Sequence, residues 1–434
     1  MLTIPAARRY QLRNATVPAD LAPGLVTSTV QGLAAVDLII ADGLVESITP
    51  AAAGVPLEAF VDLRGGMVWP CFTDMHTHLD KGHIWERAPN PDGSFMGALE
   101  IVRSDSVSHW TAADVAARME FSLKTAYAHG TQLIRTHLDS LPPQHRISFG
   151  VFEAMREAWK DRIVLQPVAL FPFDLLTQEA EFADLLDVIE HTGGSLLGGF
   201  PLMNPEIDSQ FDHLFRTAAD RGLDIDLHID ETADPSAMTL KAVAEAKLRN
   251  GFQGTVTVGH CCSLAQQDAE TAKRVVDLVA KADLAVVSLP MCNMYLQDRH
   301  SGRTPRWRGV TLVHELRAAG VRVAVASDNT RDPFYAYGDL DPVEVFREAV
   351  RILHLDHPLD HAASIITATP AAILGRPELG VIAAGQPADL VLFTARRWSE
   401  FLSRPQSDRT VLRKGRPIDT ALPDFRDLDA ILGA

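Results

Sequence analysis

Four places in the chain put histidine or aspartate at the end of a run that reads as a β-strand. Residues 67–76, MVWPCFTDMH, are followed by Thr77 and His78, so His76 and His78 stand one residue apart. Alternate side chains of a strand share a face, and both imidazoles then point the same way. DIDLHID carries His228 with Asp230 and Glu231 behind it, GTVTVGHCC carries His260, and VRVAVASDN carries Asp328 and Asn329. Histidines and an aspartate gathered from separate strand ends suit a divalent metal with an open position for water. Such an ion brings the pKa of water toward ~7 and orients it for attack on the sp² carbon of a stable amide or amidine. One H-x-H alone is weak support, and the coincidence at four strand ends carries the reading. His137, ending TQLIRTHLD, reads by itself as a hydrogen-bonded core histidine.

These residues converge only if the strands share one mouth. Besides the four runs above, TQLIRTHLD, IVLQPVALFP, GSLLGGFPLM and LAVVSLPM are short and apolar or β-branched, bounded by Gly, Pro or Asp. Helical patterns alternate with them, such as AADVAARMEFSLKTAYAHG, which Thr111 and Gly130 would cap, and PSAMTLKAVAEAKLRNG. Eight such units predict an α/β fold, a (β/α)8 TIM barrel, whose strand C-termini all open on one face. The ends differ: VDLIIADGLVESITP reads as a hairpin, and GVIAAGQPADLVLF and RTVLRKGRPI as further short strands. We expect residues 1–65 plus 380–434 to form a small β-sandwich domain around a barrel of residues 66–379.

Composition bounds the function. The 434 residues carry a net charge of −16, which argues against a nucleic-acid polymer as partner. No apolar run reaches the ~18 residues of a membrane helix, and the N-terminus lacks a secretory apolar region. Four cysteines, two of them the adjacent Cys261 and Cys262, are too few for a disulfide framework; we read the adjacent pair as packing and expect a cytoplasmic setting.

The motifs P-C-F-T-D-M-H-T-H-L-D (residues 70–80), RTHLD, LHIDE, GH and S-D-N-T-R-D-P, with the closing G-V-I-A-A-G-Q-P-A-D-L-V-L-F, resemble the amidohydrolase superfamily, and within it the cytosine deaminase branch, over nearly the whole chain. The resemblance implies that His76, His78, His228 and Asp328 are metal ligands. It also implies that Glu231 is the general acid/base and that His260 contacts the water or substrate. The fourth strand contains no lysine to carboxylate, so it implies one divalent transition metal, zinc or iron. Asp328 would take a proton from the water, and Asp230 reads as a supporting or core-facing residue. Phe95, Phe171, Phe173, Phe334 and Asn329 are candidate walls for a flat ring.

Three positions depart from the cytosine deaminase pattern. Phe173 stands where a glutamine is typical, Asn329 where a second aspartate is, and Phe334 where a tryptophan is. A polar edge-reader replaced by phenylalanine disfavours a substrate that needs that hydrogen bond. The expected function is hydrolytic deamination of a small nitrogen heterocycle, cytosine-like or a related cyclic amidine, with release of ammonia. The alternative is a cyclic amidase or N-dealkylating aminohydrolase acting on amino-triazine-like rings. A binding protein that had shed its chemistry would have lost a ligand or the acid, and all are present. Lys81 and His83 in DKGHIWER read as a solvated loop ahead of the alternative that they line the entrance, and Arg331 as a partner of Asp332 or of an anionic substrate group. Oligomeric state is not legible, although the resemblance admits a homo-oligomer.

Overall fold

The computed structural model describes residues 2–52, 55–194, 196–359 and 361–433. Ser195, inside the predicted fourth strand, lies outside them. The chain divides into two compact units, one of Met1–Asp74, Lys124–Leu133 and Asp341–Leu422, the other of Met75–Leu123, Ile134–Leu340 and Pro423–Ala434.

Eight strands form the barrel: β1 (Phe72–Thr77), β2 (Thr131–Asp139), β3 (Val164–Leu170), β4 (Leu196–Leu197), β5 (Ile225–Ile229), β6 (Val256–His260), β7 (Ala285–Ser288) and β8 (Arg322–Val325). Each neighbours the next in one eight-stranded sheet, and the pairs from β3 through β8 are parallel. Among the described residues the seam between β1 and β8 is closed by one bridge, Thr77 to Asp328, with Asp328 N–H donating to the carbonyl of His76 at 2.9 Å. The strands are short and apolar because helices cover their outer faces. The helix that leads into β2 runs Ala112–His129, with Thr111 Oγ1 accepting from Asp114 N–H at its start. Gly130, at φ +98°, supplies the turn into β2.

Three sequence expectations change. The first predicted strand is two: Val68–Pro70 pairs antiparallel with Leu390–Leu392 in a small sheet, and the barrel strand begins only at Phe72. The first pairing runs on to Cys71, whose N–H donates to the carbonyl of Asp389 at 2.9 Å, and the chain changes partner at Phe72, whose N–H donates to the carbonyl of Gly130 at 3.0 Å. Phe95, which the sequence GSFMGALE places in the loop after the first strand, instead opens a helix, Phe95–His109, whose first turn Ser94 caps by accepting from Gly97 N–H. The helix predicted from Pro235 starts at Thr239.

The chain ends build two further sheets. The first contains Arg9–Pro18, Thr29–Val30, Leu33–Ala41, Leu44–Pro50 and Phe60–Asp62; the second contains Val68–Pro70, Leu390–Leu392, Thr410–Arg413 and Arg416–Pro417. The predicted hairpin turns at Asp42-Gly43, both at positive φ, as a two-residue turn between twisted strands requires. Leu12, Val36, Leu38 and Ile40 share one buried core with Val68, Leu390, Leu392 and Leu412. No helix among the described residues is long and apolar enough to cross a membrane.

Candidate metal centre and active site

The strand ends bring their polar residues together. His76 Nε2 lies 3.2 Å from His228 Nε2 and 3.6 Å from Asp328 Oδ1. His78 Nε2 lies 3.3 Å from His228 Nε2 and 3.2 Å from Asp328 Oδ1. Metal bonds of 2.0–2.2 Å in a tetrahedron place donors about 3.4 Å apart, so this spacing fits one cation. Burial holds the pKa of His76, His78 and His228 well below the usual imidazole value, which keeps them in the neutral form that can ligate. The cluster could therefore hold a divalent metal.

His260 also faces this cluster, and donor atoms of His76, His228, His260 and Asp328 lie within 4.8 Å of one another. Its tautomer sets it apart. Asn293 Nδ2 donates to His260 Nδ1 at 2.9 Å and to Glu231 Oε1 at 3.1 Å. With Nδ1 accepting, the neutral ring carries its proton on Nε2, which makes that nitrogen a donor rather than a ligand. Burial lowers the His260 pKa to about 3, so the ring stays neutral. Burial, with the nearby Asp328 charge, raises the Glu231 carboxyl well above its ordinary value, which favours the protonated acid. Asn293, on the short helix Pro290–Leu296 that follows β7, was not singled out from the sequence. Its position directly after a barrel strand was the available signal.

Two of these residues hold unusual backbone: His260 at φ +69° and Asp328 at φ +63°. Histidine and aspartate enter this left-handed region more readily than most side chains, and it is retained where surrounding structure dictates it. Asp230 turns away from the cluster. Its carboxylate accepts from Thr239 N–H at 3.0 Å and Leu240 N–H at 2.9 Å, capping the helix Thr239–Asn250, a supporting role as expected.

Lys81 and His83 are buried, not solvated. Lys81 Nζ lies 3.1 Å from Asp139 Oδ1 and 5.1 Å from the centre of the Phe334 ring. Burial opposes its charge, but Asp139, Asp332 and Asp80 outweigh that and raise its pKa. Arg331 reaches Glu86, not Asp332, at 2.9 Å and covers the ring of Phe425. His137, read as a hydrogen-bonded core residue, is fully buried, yet neither ring nitrogen has a hydrogen-bond partner. Its ring centre is 4.1 Å from that of His76. Cys261 and Cys262 are buried free thiols.

Among the candidate pocket residues, Phe95 and Phe334 meet edge to face at 5.4 Å. Asn329 donates to Asp332 Oδ2 at 2.7 Å, and its Oδ1 faces the Cys292 thiol at 3.7 Å. Phe171 packs against Phe182 at 5.8 Å and Phe173 against Phe211 at 5.2 Å, both partners lying on surrounding helices.

Comparison with known proteins adds a family and relatives. Residues 153–419 match the model of the amidohydrolase family. The chain is 68% identical, over 99% of its length and 98% of the relative's, to a pterin deaminase from Rhizobium rhizogenes. It is 26% identical, over 77% of its length and 81% of the relative's, to N-isopropylammelide isopropyl amidohydrolase from Pseudomonas sp.. Its fold matches 5-methylcytosine deaminase from Klebsiella pneumoniae, liganded with 5-fluorocytosine, at a TM-score of 0.79 and 24% identity, covering 95% of this chain and 98% of that one.

Proposed function

The chain belongs to the amidohydrolase family, and from that premise we propose that it is a hydrolytic deaminase of amino-substituted nitrogen heterocycles of the pterin class. The observation that carries this reading is the 68% identity to a pterin deaminase along nearly the full length of both chains. It agrees with the departures at Phe173, Asn329 and Phe334, which turn the site away from cytosine.

His76, His78, His228 and Asp328 would hold one divalent transition metal, zinc or iron. Bound there, the cation supplies Lewis acidity that lowers the pKa of a water toward about 7. Asp328 accepts a proton from the water as it attacks the carbon bearing the exocyclic amine. Glu231 gives its proton to the adjacent ring nitrogen. His260 donates from Nε2 to the attacking oxygen. The amine then leaves as ammonia with the proton taken up by Asp328, and the new hydroxyl returns a proton to Glu231 as it becomes a carbonyl. Phe95, Phe334 and Asn329 form the proposed pocket wall. Phe171 and Phe173 support it through their packing against helices.

The test incubates the purified protein with pterin, cytosine and N-isopropylammelide and assays each product. Ammonia from pterin, at a kcat/KM well above that for cytosine, is the expected outcome. Isopropylamine or a ring-opened acid as the principal product would overturn the deaminase reading.

A further inference from the structure

The barrel interior beneath the donor cluster is polar where branched apolar side chains usually fill such barrels. Arg135 and His137 alternate on β2, and Asp226 and His228 alternate on β5, so each pair shares one face. Arg135 Nη1 donates to Asp226 Oδ2 at 2.8 Å and to Thr257 Oγ1 at 3.3 Å, and Arg135 Nη2 donates to Gln166 Oε1 at 3.2 Å. The other Asp226 oxygen, Oδ1, is 3.8 Å from His137 Nε2, and neither atom has a hydrogen-bond partner. His76 Nδ1 is likewise unpartnered. A carboxylate oxygen of Asp226 and one ring nitrogen each of His137 and His76 all lie within 4.8 Å of one another. All three residues are fully buried.

Such a triad could itself be a second cation site, but Arg135 argues against it. Its guanidinium already pairs with Asp226 and places a fixed positive charge beside any ion held there. A different need is left. His76 turns Nε2 toward His228 and Asp328, so once that nitrogen binds a cation the ring proton sits on Nδ1. A metal-binding histidine ordinarily gives that proton to a carboxylate, carbonyl or water, which fixes both ring and tautomer. We propose that Asp226, clamped by Arg135, and His137 form a positioning pair beneath the site, orienting His76 so that its Nε2 faces the cation. The proposal rests on the cation site argued above.

The test uses the full chain loaded with Co(II), whose visible absorption reports ligand geometry, and measures cobalt affinity by competition with a chromophoric chelator. Asp226→Asn and His137→Asn, checked for folding by circular dichroism, are expected to bind cobalt 10–100-fold more weakly with an altered visible spectrum. Asp226→Asn leaves Arg135 without its buried counter-charge; if it does not fold, His137→Asn, which keeps that ion pair, decides the matter. Native affinity and spectrum in the folded variants would overturn the positioning role while leaving the cation site intact. Two cobalt ions per native chain, falling to one in the variants, would overturn it in favour of a second cation site. A native chain that binds no cobalt would overturn both readings.

Discussion

A single amide, Asn293, sets two proton positions at once: it fixes the tautomer of His260 and holds the Glu231 carboxyl. If Glu231 moves protons and does not ligate, Glu231→Gln keeps its bound metal while kcat falls by about 10²–10⁴-fold. Metal analysis alongside steady-state kinetics checks this, and undiminished turnover would remove Glu231 from the chemistry. His83 offers a test that needs no substrate. Burial, with Arg331 and Arg118 nearby, holds its pKa at about 3 in the folded chain. An unfolded histidine titrates near ~6.5. Below that pH the unfolded chain binds a proton the folded chain refuses, so stability is lost as pH falls from 6.5 toward 3. His83→Asn removes this dependence, and Asn tolerates the positive φ of the position. Urea unfolding should show the native chain losing about 2–3 kcal/mol relative to the variant between pH 7 and 4.5; parallel pH profiles would contradict the burial argument. His76, His78, His228, His260 and Asp328 were legible because polar residues stand out against apolar strands. Lys81, His137 and Asn293 were not, because their roles come from neighbours far along the chain.

Elements position these residues through what they omit as well as what they carry. On β6, a Cβ at Gly259 would stand 3.0 Å from His76 Cε1 and 3.2 Å from its Nδ1. Strand β6 thus leaves room for a ring borne by β1. Gly259→Ala would push that ring out of register and weaken metal binding, on the order of tenfold, a change of the size seen when the support around a ligand is altered. Chelator competition would read this, and unchanged affinity would show that the ring has slack. The alternation of strand and helix made the barrel legible, and Asp42-Gly43 made the hairpin legible. The split at Pro70 was not, because both halves of MVWPCFTDMH have the composition of a buried strand and only their different pairing partners separate them.

At the scale of the whole chain, the barrel and the sheets from the chain ends are the architecture read from the sequence. The barrel is not uniformly knit. Neighbouring strands from β5 to β8 run in ladders of several residue pairs, whereas β1 and β8 meet through the single bridge at Thr77 and Asp328 among the described residues. Local opening begins where backbone pairing is sparse, and the slowest-exchanging amides lie elsewhere. The donor cluster straddles this seam, with His76 and His78 on one side and Asp328 on the other. A cation held there would act as a clasp on a thinly paired joint of the barrel, and loading should slow hydrogen exchange of the Asp328 amide far more than that of the β5 and β6 amides. Equal slowing along all strands would mean that the ion stabilises the fold only as a whole. Losing the ion would then cost the enzyme more than its reagent: it would loosen a joint that the backbone alone holds by a single bridge.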